Sequence, residues 1–304
     1  MADRRQLVPE IVRPGQRNGR HINHDPQSLR YLVAPRGVTV TPRTVRWERH
    51  SPTLNQGGLG TCVASSGVAA LSTDPFWQTL PADLQQRLAR ASTAQEWAVE
   101  LYRLTTAADP FPGAWEPEDT GTDGLSLAKV LRRLGIISGY EHITTLAAAH
   151  VGIQRGPFII GTVWLSAMNT PDSAGVVSAL GYDEGGHEYL CREYDADRDL
   201  WWMDNSWTDA WGVRGRFAMK SQTLATLLAR QGDATQFVPL TAPAPQPAPA
   251  EPGGPVGPVS RVPVAPAVPP ADVDAWAART VASQWRSRRD RAAAQSYLDW
   301  RAQQ

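Results

Sequence analysis

Residues 54–71, LNQGGLGTCVASSGVAAL, predict a loop broken by glycines (Gly57, Gly58, Gly60) that ends at Thr61 and feeds a helix opened by Cys62. A thiol at that position sits on the unpaired N–H groups and partial positive charge of a helix N-terminus, which favour thiolate over thiol. Cys62 is therefore expected to be acidified and nucleophilic. Gln56, six residues earlier, carries an amide that can point to the carbonyl Cys62 would attack. With the backbone N–H of Cys62 it would form a donor pair for an oxyanion, of a kind whose loss typically costs about 10²- to 10³-fold in rate.

A thiol nucleophile needs a base, and the base needs an orienting group. His187 follows Gly185-Gly186 at the start of a predicted strand, and Asn205 lies near the end of the next, 18 residues on. Antiparallel pairing brings the two side chains together, so Asn205 would accept from one ring nitrogen of His187 and leave the other facing Cys62. Trp207, two residues further, would cover that hydrogen bond from water.

The pattern around these residues divides the chain by period. Pro81 to Thr105 carries apolar residues at helical spacing with a break near Ser92, and SLAKVLRRLGI ends in Gly135 where a helix C-cap belongs. Val38 to Trp47 alternates as a short strand. PFIIGTVWL (157–165), HEYLCREYD (187–195), LWWMDNSW (200–207) and GRFAMK (215–220) read as strands between Gly/Asp turns. Helices followed by strands indicate an α+β fold, helices segregated to one side of an antiparallel sheet, with a cleft between the halves.

At 304 residues, with 42% hydrophobic content, the chain can bury a sizeable core. Its 30 basic and 30 acidic side chains cancel, so no global field selects nucleic acid or an anionic membrane. The two cysteines exclude a disulfide scaffold; Cys191, about 13 Å along the strand from His187, reads as core. The other histidines show no metal-ligand spacing, so neither metal nor cofactor is expected. With no apolar leader and no long apolar run the expected compartment is cytoplasmic, a phage particle or specialised secretion being the other settings.

Flanking segments differ in composition. Residues 1–39 are polar and arginine-bearing and read as an N-terminal arm lying on the domain. From Pro239 to Pro270, 12 of 32 residues are proline, which predicts an extended spacer over 239–271. Residues 272–304 read as an amphipathic helix rich in arginine and tryptophan, expected to dock a protein partner rather than nucleic acid.

Taken together, Gln56-Gly57, Gly60-Thr61-Cys62, GTDGLSLAKVLRRLGI (121–136), GPFIIGTVW (156–164), GGHEYLCREYD (185–195) and MDNSWTDAWGVRGRF (203–217) resemble the papain-like cysteine peptidases in order and spacing. The resemblance runs from about Val38 to Lys220. It implies a peptidase domain over 40–238, with a helical subdomain packed against an antiparallel sheet or barrel subdomain and the active-site cleft between them. It also implies Cys62 as nucleophile, His187 as general base and acid, Asn205 as orienter and Gln56 as oxyanion donor. Gly124, Gly186 and Trp207 become candidate contacts for a peptide or protein substrate. Thr61 and Val63 depart from the small and aromatic residues usual beside the family's cysteine, and the family's disulfide partners are missing. No long propeptide precedes the domain, which leaves the 39-residue arm as candidate plug of the cleft. Two other readings share part of the pattern: an idle papain-like scaffold that binds protein, and a cell-wall amidase or transglutaminase-like enzyme. Gln56 and the Asn-Ser-Trp run argue against the second.

Overall fold

The computed structural model describes residues 4–14, 16–25, 28, 31–33 and 41–240; the spacer and the C-terminal helix expected beyond them lie outside the described residues. Helix α1 (Cys62–Leu71) is buried along its whole length. Its composition explains that: Ala, Ser, Val and Leu on every side leave no polar face to turn to solvent. Gly67 lets it approach the helix α4 (Gly124–Arg133) closely, since a Cβ there would stand 2.5 Å from a Leu127 methyl.

Around α1 stand α2 (Ala82–Leu88) and α3 (Ala91–Thr106), separated at Ala89–Arg90 rather than at Ser92. Helix α4 is capped by Asp123, whose carboxylate accepts from Ser126 N–H at 2.8 Å, a cap of the Asp type that typically contributes about 1 kcal/mol. At its other end Gly135 takes φ +71°, and Ile136 N–H reaches back to the Leu131 carbonyl at 3.0 Å, the closure expected from the sequence.

The second half is a seven-stranded antiparallel sheet. Its order is β4 (Gly139–Ile143), β9 (Asp233–Val238), β5 (Phe158–Leu165), β6 (Asp183–Asp195), β7 (Leu200–Asp204) and β8 (Arg216–Met219), with β3 (Val45–Arg46) paired to β6. The long strands fall where alternation placed them, but of the alternating run at 38–47 only Val45–Arg46 pairs with the sheet. Two helices, α5 (Leu146–Arg155) and α6 (Ser221–Ala229), interrupt the strand-rich half. One apolar core gathers around α1, α3 and α4, and a second lies where the sheet meets α5 and α6. Helix α1 packs on β6, so the two halves meet along the helix that carries Cys62.

The N-terminal residues fold back on themselves: β1 (Arg4–Gln6) pairs with β2 (Ile22–His24), and the return leg, residues 17–24, runs between the helical half and the sheet.

Candidate active site

Cross-strand register assembles the site. The turn after β7 hydrogen-bonds to the loop before α1: Gln56 N–H donates to the Ser206 carbonyl at 2.9 Å, and Thr208 N–H to that of Leu54 at 3.2 Å. In β6, Leu190 stands opposite Asp204 of β7, which sets His187 near Asn205. His187 Nε2 donates to Asn205 Oδ1 at 2.8 Å, and Ser206 N–H donates to the same oxygen at 2.8 Å. That second donor identifies the atom as the amide oxygen and fixes the tautomer. His187 Nδ1 is left as a buried acceptor without a hydrogen-bond partner among the described residues.

Aromatic side chains wall this pair. Trp207 stacks on the imidazole at 4.6 Å between ring centroids, as expected of a cover, and Trp164 meets it edge-on at 4.9 Å. Trp164 carried no expectation from the sequence beyond its place in a strand.

Cys62, His187, Gln56, Asn205 and Trp207 are all buried. The chain's own arm adds to this cover. Gly19 N–H and Arg20 N–H both donate to the Gly186 carbonyl, at 3.1 and 2.9 Å. Across the cleft, Thr122 N–H donates to the Gly19 carbonyl at 2.8 Å and its carbonyl accepts from His21 N–H at 2.7 Å. The arm thus joins both walls as an extra strand, parallel to Thr122. Backbone pairing with the arm falls to Gly186 and to Thr122, which was not singled out. Thr122 precedes the N-cap Asp123, and its extended backbone offers both polar groups sideways. Gly124 leaves room for Glu188: a Cβ there would stand 2.7 Å from Glu188 Oε1.

Gln56 is held firmly, but its donor is engaged. Its Oε1 accepts from Ser206 Oγ at 2.6 Å, which turns Nε2 toward the carbonyls of Arg17, at 2.9 Å, and Leu59, at 3.0 Å. An arm carbonyl therefore occupies the donor that the sequence reading assigned to an oxyanion.

Protonation follows burial. The expectation of an acidified Cys62 is overturned in this covered state: burial pushes the thiol well up, helped by the nearby Glu188 carboxyl, against the backbone N–H groups of Glu188 and Val63. Burial likewise pushes His187 down to about 4, against the Asn205 hydrogen bond. Helix N-terminal charge acts, but losing water outweighs it. With the arm seated, burial favours the neutral forms of both sulfur and imidazole.

No protein-family model matches the chain, and no curated protein matches it in sequence. Among solved structures it is similar to xylellain, a cysteine protease from Xylella fastidiosa, with a TM-score of 0.54 and 15% identity over 79% of this chain and 99% of that one. The chain has the papain-like fold. Weaker likenesses are to the proform of the ragweed pollen cysteine protease Amb a 11 (TM-score 0.47, 17% identity, 80% of this chain and 68% of that one) and to digestive procathepsin L 3 of Tenebrio molitor (TM-score 0.48, 15% identity, 70% and 74%). The solved structures this papain-like chain resembles are cysteine proteases. Among its described residues no helix is long and apolar enough to cross a membrane.

Proposed function

We propose that the chain is a thiol peptidase that hydrolyses peptide bonds through Cys62, with a domain spanning about 40–238 and its own N-terminal arm as restraint. The observation that carries this reading is the His187–Asn205 hydrogen bond at 2.8 Å, with the second imidazole nitrogen free of any hydrogen bond among the described residues, in a papain-like fold whose central helix opens at Cys62.

With the arm displaced, water and substrate reach the cleft, the burial that holds both groups neutral is relieved, and the thiol proton passes to His187 Nδ1. The thiolate adds to the substrate carbonyl carbon while the oxygen is held by Gln56 Nε2 and the Cys62 N–H. His187 returns the proton to the leaving amine, and a thioester remains on Cys62. Water, deprotonated by His187, then breaks the thioester and restores the thiol. Asn205 holds the imidazole in the tautomer this proton traffic requires, and Trp207 excludes water from the pair.

An epoxide thiol inhibitor is expected to modify Cys62 of the full chain at one equivalent, slowly, at the rate at which the arm opens. His187→Ala should abolish that labelling while leaving the fold intact by circular dichroism. A Cys62 no more reactive than Cys191, or one labelled equally in His187→Ala, would favour a scaffold that binds protein without catalysis.

A further inference from the structure

A cavity of about 510 Å³, lined by none of the candidate catalytic residues, lies between the N-terminal arm and helix α4. Four of its described lining residues are cations, Arg5 of β1 with Lys129, Arg132 and Arg133 of α4, and Asp25 is the one carboxylate among them. Four less one leaves the wall with an excess of three positive charges, on a chain whose formal net charge is zero.

Two ordinary explanations leave most of that excess in place. Lys129 pairs with Asp25 at 3.0 Å, which accounts for one cation. Arg132 and Arg133 stand in the last turn of α4, where cations meet the negative end of the helix dipole, but a dipole gives no reason for Arg5 to join them from a strand. Arg5 stands directly opposite Asn23 in the β1–β2 pair, so both side chains lie on one face of that ribbon. Asn23 and Ser126 line the cavity while themselves buried, and Asn23 Oδ1 has no hydrogen-bond partner among the described residues. A buried acceptor left unmet is costly, and a ligand hydroxyl would satisfy it.

We infer that this cavity binds a small molecule carrying more than one phosphate group, and that the bound molecule fastens the arm to the helical half. The volume is that of a small-ligand site, and a recess between a strand and a helix suits such a molecule better than a duplex or a bilayer. Phosphate fits the wall better than carboxylate. Each phosphate monoester carries close to two charges and three acceptor oxygens for guanidinium forks, and near neutral pH a fraction keeps a P–OH that can donate to Asn23. Arg5, Asn23 and Asp25 belong to the arm, and the last two closely follow Gly19, Arg20 and His21, whose N–H groups pair with the cleft walls. A ligand held from both sides therefore binds the seated arm in preference to a released one. None of this requires a reactive thiol.

Calorimetry with inorganic tripolyphosphate on the full chain, at ionic strength held constant with chloride, should show saturable binding of one equivalent. Arg132→Gln with Arg133→Gln should weaken it about tenfold or more, and so should Arg5→Gln on the arm. Arg90→Gln with Arg214→Gln removes two charges from exposed positions outside the cavity and should change binding by less than about twofold. Citrate, with carboxylates alone, should bind about tenfold less tightly. With tripolyphosphate at about ten times its Kd, hydrogen exchange at the Gly19, Arg20 and His21 amides should slow about tenfold, as a ligand of the seated arm alone requires. Absence of saturable binding, an equal loss in the exposed-arginine control, or citrate binding as tightly as tripolyphosphate overturns the site. Binding with unchanged exchange overturns the fastening of the arm.

Discussion

His187 sits among Trp164, Tyr189 and Trp207 with one hydrogen bond, to Asn205, and that cage decides its charge. Burial lowers its pKa from 6.5 to about 4, so the folded chain resists a proton that the unfolded chain accepts. The sign follows: the unfolded state binds more protons between those values, and stability present above 6.5 is lost as pH falls toward about 4. The shift corresponds to a loss on the order of 3 kcal/mol across that window. Burial also lowers His21, His142 and His150, so the wild-type slope contains several groups. His187→Gln should reduce the drop in melting temperature between about pH 7 and about pH 4.5 while leaving part of it, and an unchanged drop would mean that His187 titrates normally in the folded chain.

At the scale of elements, the arm is held by backbone pairing, by close approach and by ion pairs of Arg13 with Glu184, Arg17 with Asp119 and Arg20 with Asp233. Gly19 adopts φ +152°, and a Cβ there would stand 2.5 Å from the Gly60 carbonyl oxygen. A β-branched side chain at this position therefore meets strain and collision together, on the arm and not on the cleft walls. Gly19→Val is expected to raise the rate of Cys62 labelling by a thiol epoxide about tenfold or more, since each 1.4 kcal/mol taken from the closed state is tenfold in its opening. Equal rates in the two proteins would show that the arm does not gate the thiol. The sequence predicts an arm lying on the domain as a candidate plug of the cleft, but its pairing partners cannot be read there, for a physical reason. Its partners are up to 213 residues away, as Arg20 is from Asp233, and no local period records a strand that completes a cleft. The helix α1, the capped end of α4 and the strands from β5 to β8 were legible because burial imposes a period or composition on them. Helix α5 was not, because LAAAHVGIQR buries only Ala148, Ala149, Gly152 and Ile153 and shows no strong stripe. The candidate site residues could be proposed because a nucleophile and its base would occupy defined positions on a helix start and neighbouring strands. Their charge could not, because it depends on what covers them.

Across the whole molecule, one buried carboxylate ties three neighbouring strands to the segment that leads to the Cys62 loop. Asp204, at the end of β7 and next to Asn205, meets Arg49 at 2.9 Å, Arg192 of β6 at 2.8 Å and Arg216 of β8 at 3.0 Å. Arg192 also donates to the Trp47 carbonyl at 2.9 Å, and Arg49 lies five residues before Leu54, where the loop leading to Cys62 begins. The cluster thus links the approach to Cys62 with the end of β7, next to Asn205. Burial alone would raise the Asp204 pKa, but the three guanidinium groups outweigh it and hold it down at about 2. Replacing both charges and volume here is often neutral, whereas removing only the anion leaves Arg49 and Arg192 buried without their carboxylate, while Arg216 keeps Glu193 at 2.6 Å. Asp204→Asn is therefore expected to lower unfolding free energy by about 3–5 kcal/mol, read as a shift in the urea midpoint at unchanged slope. The same link gives a pH signature: stability from Asp204 is present above 3.8 and lost as pH falls toward about 2, below the window in which His187 acts. A midpoint within error of wild type at neutral pH would mean that the guanidinium groups find other partners, and that Asn205 is positioned by backbone pairing alone.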